Sequence, residues 1–235
     1  MITVKIADLP IGIDNKYEHI AIQAREYFTD LDPLFTVSVS EDDIDEEKKI
    51  SGTDHPRGYY ESIIAYRKIA NKLPEYDAFL FHGCVMELNG KAYIITANSG
   101  VGKTTHTRLW LSEFGKEVSI INGDKPTVRI IDGVAYASGT PWKGKEGYGR
   151  NTMKPIAGIA FLSRSEINRA SEITMESAVT RFMSQIYLPR KNPIALTKTM
   201  LLADKVIRGV KLVGLECNMD PEAAHVCRAA LVEND

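Results

Sequence analysis

The stretch of sequence that decides the fold is KAYIITANSGVGKTTHTRLWLSEF, residues 91–114. Its first part, residues 91–96, is rich in β-branched and aromatic residues and predicts a strand. Residues 97–104 match the P-loop pattern G-x-x-x-x-G-K-[ST], with Ala97 in place of the first glycine. Residues 104–114 predict a helix. A strand that enters the motif and a helix that leaves it are the setting in which a P-loop binds nucleotide phosphates.

The chemistry of phosphate binding accounts for the residue types in this motif. Gly100 and Gly102 let the backbone curl, so that successive N–H groups point at phosphate oxygens. Lys103 supplies a mobile positive charge for the β- and γ-phosphates, and the Thr104 hydroxyl can bind Mg²⁺. The motif therefore predicts a nucleotide-phosphate site. The alternative is a glycine turn before a helix with an exposed lysine.

A P-loop also needs an acid that holds the metal's water shell or acts as a base. The next predicted strand, residues 118–122, is followed directly by Gly123 and Asp124. A carboxylate at the end of a strand beside the P-loop is well placed for either role, so Asp124 is the candidate. The alternative is an aspartate that opens a turn before Pro126.

The composition excludes several classes of protein. The chain has 235 residues, of which 44% are hydrophobic and 26% charged, and these values exclude a disordered, collagen-like or coiled-coil chain. Its 29 basic and 31 acidic residues give a net charge of −2, which argues against a strongly basic nucleic-acid binder. No apolar stretch approaches the ~20 residues of a membrane helix. We therefore expect neither nucleic acid nor a membrane as a partner.

The N-terminus and the cysteines indicate the compartment. The first ten residues lack the basic region and apolar core of a signal peptide. Cys84, Cys217 and Cys227 show no CxxC spacing, and we expect them to be reduced thiols. We predict a cytoplasmic protein. A homo-oligomer is compatible with the sequence, which does not specify it.

Hydrophobic periodicity predicts alternating strands and helices in one α/β domain over residues 1–235. We divide it into an N-terminal subregion, residues 1–75, and a core, residues 76–235. The acidic stretch at residues 41–47 is predicted to be a solvated, mobile loop. Met175, Met183 and Met200 are predicted to be core residues. Strands are predicted at residues 2–6, 34–40, 78–88, 91–96, 118–122, 127–131, 134–138, 156–162 and 210–217. Helices are predicted at residues 15–30, 60–73, 104–114, 171–188 and 193–208, and from Asp220 onward.

Four segments together resemble the HPr kinase and phosphoenolpyruvate carboxykinase superfamily, in particular its short bacterial HPr-kinase-like proteins. They are FLFHGCVMELNGKAYIITANSGVGKTTHTRLW (79–110), INGDKP (121–126), DGVAYASGTPWKGKE (132–146) and LECNMDPEAA (215–224). The resemblance implies a mixed-sheet P-loop core that begins with a hairpin, preceded here by a small α/β subregion. Because the chain is far shorter than full carboxykinases, we expect it to lack the large N-terminal domain of those enzymes.

The resemblance also implies roles for individual residues. His82 matches a histidine that lies beside the catalytic acid in HPr kinases. The family usually carries paired aspartates where this chain has Gly123 and Asp124, so only Asp124 remains to act as base and to hold metal with Thr104. The alternative is that another residue, such as His82, acts as the base. The residues implied to wrap the triphosphate are Ser99, Gly100, Val101, Gly102, Lys103, Thr104 and Thr105.

A glycine-rich segment, residues 139–151, is the candidate for a lid or acceptor-binding loop. Its cations Lys143, Lys145 and Arg150 could offset the charge that moves between phosphoryl donor and acceptor. Trp142 and Tyr148 could stack on a base, line an acceptor pocket or pack on the core. The alternative for the whole segment is a solvated surface loop.

These features predict a phosphotransferase that moves the γ-phosphoryl group of ATP, or of another nucleoside triphosphate, to a hydroxyl group of a protein, peptide or small metabolite. The catalytic candidates are Lys103, Asp124 and His82, with Mg²⁺ or Mn²⁺ as the metal. One alternative is a carboxykinase-type enzyme, against which the short chain argues. The other is a nucleotide sensor or scaffold without turnover, which the missing second aspartate favours.

Overall fold

The computed structural model describes residues 1–232, which form twelve strands and seven α-helices. The strands are β1 (Ile2–Ile6), β2 (Leu9–Asp14), β3 (Phe35–Ser38), β4 (Ala78–Leu80), β5 (Cys84–Leu88), β6 (Lys91–Thr96), β7 (Ser119–Asn122), β8 (Thr127–Ile131), β9 (Val134–Ser138), β10 (Met153–Arg164), β11 (Arg169–Glu172) and β12 (Lys211–Cys217). The helices are α1 (Glu18–Gln23), α2 (Glu41–Ser51), α3 (Arg57–Lys72), α4 (Lys103–Phe114), α5 (Met175–Met183), α6 (Pro193–Gly209) and α7 (Glu222–Leu231). Short 3₁₀ helices occupy Arg25–Tyr27, Leu73–Tyr76 and Gly115–Glu117.

A nine-stranded mixed sheet forms the body of the molecule, and the predicted α/β fold is confirmed at this level. The strand order is β4-β8-β9-β10-β6-β5-β7, with β12 beside β10 and β11 beside β12. Strand β6 lies between β5, to which it is antiparallel, and β10, to which it is parallel. The long strand β10 joins the two halves of the sheet, because its start pairs with β9 and its remainder with β6 and β12.

Two tight hairpins follow from local sequence. Asn89 and Gly90 both have positive φ, 50° and 74°, in the turn between β5 and β6. Asp132 and Gly133 also have positive φ, 50° and 81°, in the turn between β8 and β9. Asn-Gly and Asp-Gly pairs tolerate this left-handed backbone, so both turns were predictable from the sequence.

Helices cover both faces of the large sheet. Helices α4 and α7 pack on one face, where Trp110 is fully buried. Helices α5 and α6 pack on the other face, where Phe182 is fully buried. Among the helices formed by residues 1–232, none combines the length and apolar character needed to cross a membrane.

The N-terminal subregion forms a second sheet that shares its core with the rest of the chain. Strands β1 and β2 are antiparallel, and β3 joins β2 in parallel. The core of this sheet and of helices α1 to α3 includes Ala78, Leu80 and Trp142 from the later part of the chain. Residues 1–75 are therefore packed against the segment that follows β9.

The acidic stretch at residues 41–47 is helical, so its prediction as a loop was wrong. Ser40 and Asp43 form a capping box at the start of α2, in which each side chain accepts from the other's backbone N–H. Cations of α3 pair with the acids: Lys68 with Asp43 at 2.7 Å and Arg67 with Glu47. These partners remove the charge repulsion that the stretch has by itself.

Other predicted elements differ in extent. The predicted strand at 78–88 is interrupted at His82 and Gly83, which separate β4 from β5. The predicted helix at 171–188 is wrong at its start, because Arg169–Glu172 pairs with β12 as strand β11. The helix predicted at 15–30 ends at Gln23, and the unpredicted strand β2 precedes it.

The methionine prediction was wrong at two of its three positions. Met175 is 49% exposed and Met200 is 52% exposed, whereas Met183 packs against the buried residues under α5 and α6. Both exposed methionines lie on the outer side of their helices. Helical spacing places residues on one face of a helix, but it does not say which face meets the core.

Candidate functional site

The P-loop motif forms a glycine turn between β6 and α4. Gly100 has φ of 80° and Gly102 has φ of 130°, and both positions are open to solvent around the α-carbon. These left-handed conformations explain why glycine occupies both positions. Helix α4 begins at Lys103, so the unpaired N–H groups of its first turn lie at the mouth of the loop.

Lys103 reaches back across this loop. Its side-chain nitrogen Nζ donates to the carbonyl oxygen of Ala97 at 2.8 Å and to that of Asn98 at 3.4 Å. The residue is 9% exposed, and burial lowers the pKa of its ammonium while the nearby Asp124 carboxylate opposes that shift. The ammonium is thus held at the loop, within the electrostatic influence of Asp124.

Asn122 fixes the turn that presents Asp124. This asparagine is fully buried at the end of β7, and its Oδ1 accepts from the backbone N–H of Asp124 at 2.9 Å and of Lys125 at 2.7 Å. Its Nδ2 donates to the carbonyl oxygen of Thr140 at 3.2 Å. One side chain therefore ties the turn that carries the acid to the start of the glycine-rich segment.

Asp124 is held ionised by its neighbours. Burial raises the pKa of the carboxyl group, but the hydrogen bond from His82 and the charge of Lys125 outweigh it, so the pKa lies below its ordinary value. Its Oδ1 is 3.4 Å from His82 Nε2 and 3.3 Å from Lys125 Nζ. A third of the side chain is exposed, at 33%, so the carboxylate is accessible from the cleft.

Gln185 orients His82 and connects it to the P-loop motif. The Gln185 Nε2 donates to Asn98 Oδ1 at 3.0 Å, which leaves its Oε1 to accept from His82 Nδ1 at 2.9 Å. The backbone N–H of His82 also donates to the carbonyl of Gln185 at 2.8 Å. With Nδ1 engaged in this way, the Nε2 edge of the ring faces Asp124.

The glycine-rich segment folds over the end of β7. The backbone N–H of Gly123 donates to the carbonyl of Tyr148 at 2.9 Å. A Cβ atom at position 123 would lie 3.1 Å from the Lys143 carbonyl oxygen and 3.3 Å from Tyr148 Cβ. Gly144 lies against Asp124, because its own Cβ would be 2.9 Å from that of Asp124. Gly123 thus lets the segment pack where the resemblance implies a second aspartate.

The three candidate cations of this segment have different surroundings. Lys143 forms an ion pair with Glu26 and lines the cleft beside Asp124. Lys145 is exposed and lines the same cleft. Arg150 donates to Glu87 Oε2 at 2.6 Å on the surface of the sheet, so the structure does not bring it to the P-loop motif. Arg108 of α4 holds the segment through an ion pair with Glu146.

A cleft of about 1220 Å³ joins these parts, and the N-terminal subregion supplies its opposite wall. Helix α3 contributes Tyr59, Ser62, Tyr66 and Arg67 to that wall. Burial, and then the charge of Asp124, raise the pKa of Tyr66. The four residues predicted from the sequence to be catalytic or to hold metal all line this cleft: His82, Lys103, Thr104 and Asp124.

Trp142 lies between the two walls and packs on the core. Its ring is 4.9 Å from that of Tyr66, and its Nε1 donates to Ser62 Oγ at 3.0 Å. The residue is 9% exposed. Trp142 therefore packs on the core and also lines the cleft, whereas stacking on a nucleotide base stays a prediction.

Cys84 lies at the floor of the cleft as an unreactive thiol. Burial raises its pKa to about 12, with a smaller opposing effect of Thr107 and Lys103. Cys217 is also buried, and its pKa is raised to about 11. At neutral pH both residues are protonated, so neither provides a nucleophile.

Two residues of the cleft carry oxygen atoms that could hold a divalent cation. Thr104 and Asp124 present oxygen atoms to the same cleft, and oxygen is the donor that Mg²⁺ prefers. Mg²⁺ is commonly held by one or two protein oxygens together with substrate phosphates. Within the described part of the chain, no cluster of three or more His, Cys, Asp or Glu residues could hold a metal ion.

Sequence features pointed to only part of this site. Gln185 and the α3 wall were missed, because Gln185 is 103 positions from its partner His82 and α3 belongs to the N-terminal subregion. The Asx turn at Asn122 was detectable in principle, because an asparagine directly before Gly-Asp-Lys-Pro is a turn signal. It was not identified as the residue that positions Asp124.

Comparisons with solved structures show distant similarity, whereas comparisons with family models and curated proteins show none. No protein-family model matches the chain, and no curated protein matches it. One similar solved structure is the Hpr(Ser) kinase/phosphatase from Coxiella burnetii, with a TM-score of 0.35 and 8% sequence identity. The similarity covers 63% of this chain and 93% of that chain. A likeness at this level does not assign a function.

Proposed function

We propose that this chain is a phosphotransferase that uses ATP and Mg²⁺ and moves the γ-phosphoryl group to a hydroxyl group of a protein, peptide or small metabolite. One observation supports this most: the buried Lys103 of the P-loop motif and the ionised Asp124 line one cleft. The wall of α3 opposite them leaves room for an acceptor. Phosphoryl transfer depends mainly on such positioning and on compensation of charge.

Each residue has a role that follows from its contacts. Lys103 and the first turn of α4 bind the phosphates, and Lys103 offsets the charge that develops on the γ-phosphoryl group. Asp124 orients the acceptor hydroxyl and accepts its proton as the phosphoryl group is transferred. His82, held by Gln185, keeps the Asp124 carboxylate in place. Mg²⁺, bound by Thr104 and Asp124, would neutralise charge on the phosphates.

The test is transfer of a labelled γ-phosphoryl group from ATP, with Mg²⁺, to a cell extract and to a panel of hydroxylated metabolites. We expect a labelled acceptor with the wild-type protein and at least 10²-fold slower labelling with Asp124→Asn. The matched control is Asp132→Asn, which changes an aspartate in the turn between β8 and β9. Tight ATP binding with no labelled acceptor across the panel would contradict the proposal.

A nucleotide sensor without turnover is the second candidate, and the packing around Gly123 is the observation that favours it. The carboxylate that the resemblance implies at this position is missing, and the segment around Tyr148 occupies its place. A sensor would show ATP-dependent stabilisation with the same absence of transfer in the wild-type protein and in Asp124→Asn. Phosphoenolpyruvate formed from oxaloacetate and nucleotide with Mn²⁺ would instead indicate the carboxykinase alternative.

A further inference from the structure

A second pocket, of about 420 Å³, lies on the other side of the P-loop motif from Asp124. Its walls are the carboxyl ends of β10 and β12 and the first turn of α4. Ligand pockets in proteins have volumes of about 300–1,000 Å³, so this one is large enough for part of a nucleotide.

The strand order gives this pocket a defined relation to the phosphate site. Strand β6 leads into the P-loop motif, with β5 and then β7 on one side and β10 and then β12 on the other. Asp124 follows β7, so the acid lies on the first side. Strands β6, β10 and β12 are parallel, and ligands of open α/β sheets bind beyond the carboxyl ends of such strands.

The lining of the pocket combines apolar and polar side chains, which suits a nucleoside attached to a phosphate. Val101, Leu162 and Met219 present apolar side chains, and Met219 is 75% exposed beside the opening. Thr105, on the first turn of α4, lines both this pocket and the cleft that contains Lys103. Thr105 therefore marks where a phosphate chain would pass from one to the other.

Arg164 connects the pocket wall to the P-loop motif. Its Nε donates to the carbonyl oxygen of Val101 at 3.0 Å, and its terminal nitrogen donates to the carbonyl of Gly100. These bonds hold two carbonyl groups toward the end of β10. The distance between the pocket and the glycine turn is thereby fixed by direct hydrogen bonds.

We propose that this pocket binds the nucleoside of the nucleotide, with the base against Met219 and Val101 and the γ-phosphate at Asp124. The inference rests on the proposed function, because a nucleoside in this pocket sets the direction in which a bound nucleotide lies across the P-loop motif. The whole cleft between Asp124 and α3 is then left for the acceptor. A thioether beside an aromatic base is a favourable contact.

A groove on the opposite face of the sheet is the competing location. It lies along the outer side of the P-loop motif and is lined by Thr180, Arg181 and Ser184. This groove does not reach the first turn of α4, where the phosphates bind. A nucleoside there would lie on the far side of the loop from Thr105.

The test compares the affinity for ATP with the affinity for inorganic tripolyphosphate, which lacks a nucleoside. We expect wild-type protein to bind ATP more tightly, and Met219→Ala to weaken ATP about tenfold with tripolyphosphate unchanged, since only apolar contact with the base is lost. Met219 is exposed, so the variant is expected to fold. The matched controls are Met200→Ala, which changes another exposed methionine, on α6, and Thr180→Ala in the competing groove.

The outcomes separate this inference from the function on which it rests. Equal affinities of wild-type protein for ATP and tripolyphosphate, or unchanged ATP binding in Met219→Ala, would overturn the nucleoside site and leave the phosphate site intact. Weaker ATP binding in Thr180→Ala would place the nucleoside in the competing groove, and this result would also overturn the proposed nucleoside site. Binding of neither ligand to wild-type protein would refute the proposed function, and the nucleoside site with it.

Discussion

At the scale of single residues, Gly144 and Gly147 allow the contact with Asp124 to be tested by itself. Both have left-handed backbone, with φ of 74° and 67°, but only at Gly144 would a Cβ atom meet Asp124, at 2.9 Å. Alanine at either position costs about 1 kcal/mol of stability through backbone strain. We expect Gly144→Ala to slow phosphoryl transfer by about 10²-fold, because small displacements of a catalytic group have effects of that size.

The measurement is a single-turnover transfer rate, together with urea unfolding of each variant. Gly147→Ala is the matched control, since a Cβ atom there would have no neighbour within 4 Å. Equal transfer rates in Gly144→Ala and Gly147→Ala would show that the contact with Asp124 has no influence on the reaction.

Gln185 is a positioning residue in this account, and a pair of variants tests that role. We expect Gln185→Leu to slow transfer by about 10²-fold, because His82 loses its acceptor. Gln185→Glu keeps an oxygen at this position, so it is expected to retain more of the rate. A purely structural role would make both variants equally slow, in proportion to their loss of stability. The measurement is kcat and KM for ATP beside the midpoint of unfolding.

The site was predictable at this scale only where local sequence determines geometry. The positive φ angles of Gly100 and Gly102 follow from the spacing of the P-loop pattern, and Asp124 follows from its place after a strand. Gln185 carries no such signal, because a buried amide acquires its role only through tertiary contacts. The packing of Tyr148 against Gly123 was equally unpredictable, since it depends on how the glycine-rich segment returns to the sheet.

At the scale of elements, the start of α2 offers a test of electrostatic stabilisation. The hydrogen bond from Lys68, with those from Ser40, lowers the pKa of Asp43 from 3.8 to about 2. The folded state therefore gains stability from the ionised carboxylate above pH 3.8, and loses it as the pH falls toward 2. We expect Asp43→Asn to cost about 1 kcal/mol at pH 7, because a capping interaction and a partly solvated ion pair are weakened.

The check is urea unfolding of wild-type protein and Asp43→Asn at pH 7 and at pH 2. The difference in free energy of unfolding is expected to become much smaller at pH 2, where the Asp43 carboxyl group is largely protonated in the unfolded state and about half protonated in the folded state. Asp42→Asn, which changes the neighbouring acid of the same helix turn, is the control. A difference of the same size at both pH values would contradict the electrostatic explanation.

The elements that sequence predicts well are those that local chemistry determines. The two hairpins follow from Asn-Gly and Asp-Gly, and the strand, loop and helix of residues 91–114 follow from periodicity and glycine. Helix α2 failed as a prediction because its acids are paired with cations of α3, which are distant in sequence. Strand β11 was missed for a related reason. The sequence predicts a helix from residue 171, but the pairing of Arg169–Glu172 with β12 makes this segment a strand.

At the scale of the whole molecule, the shared core predicts that the two parts of the chain unfold together. Trp142 belongs to the core of the N-terminal subregion, and Trp110 to the face of the sheet under α4. The chain has two tryptophans, so Trp110→Phe leaves Trp142 as the only one. In that variant we monitor urea unfolding by fluorescence and by far-UV circular dichroism. We expect both signals to give the same midpoint, as two-state unfolding requires.

Separate transitions would contradict this prediction. If the fluorescence of Trp142 changed before the circular dichroism, residues 1–75 would unfold independently of the large sheet. The wall of α3 would then be a mobile part of the cleft. Coincident transitions would mean that the N-terminal subregion and the large sheet unfold as one cooperative unit.

The central claim is that Lys103 in the P-loop motif binds the phosphates of a nucleotide, and calorimetric titration with ATP and Mg²⁺ tests it most directly. We expect saturable binding to wild-type protein and at least a tenfold loss of affinity in Lys103→Ala, since a charge-assisted contact with phosphate is removed. Lys125→Ala, which alters the neighbouring lysine at Asp124, is expected to have a smaller effect. Equal ATP affinity in wild-type protein and in a folded Lys103→Ala variant would contradict the account.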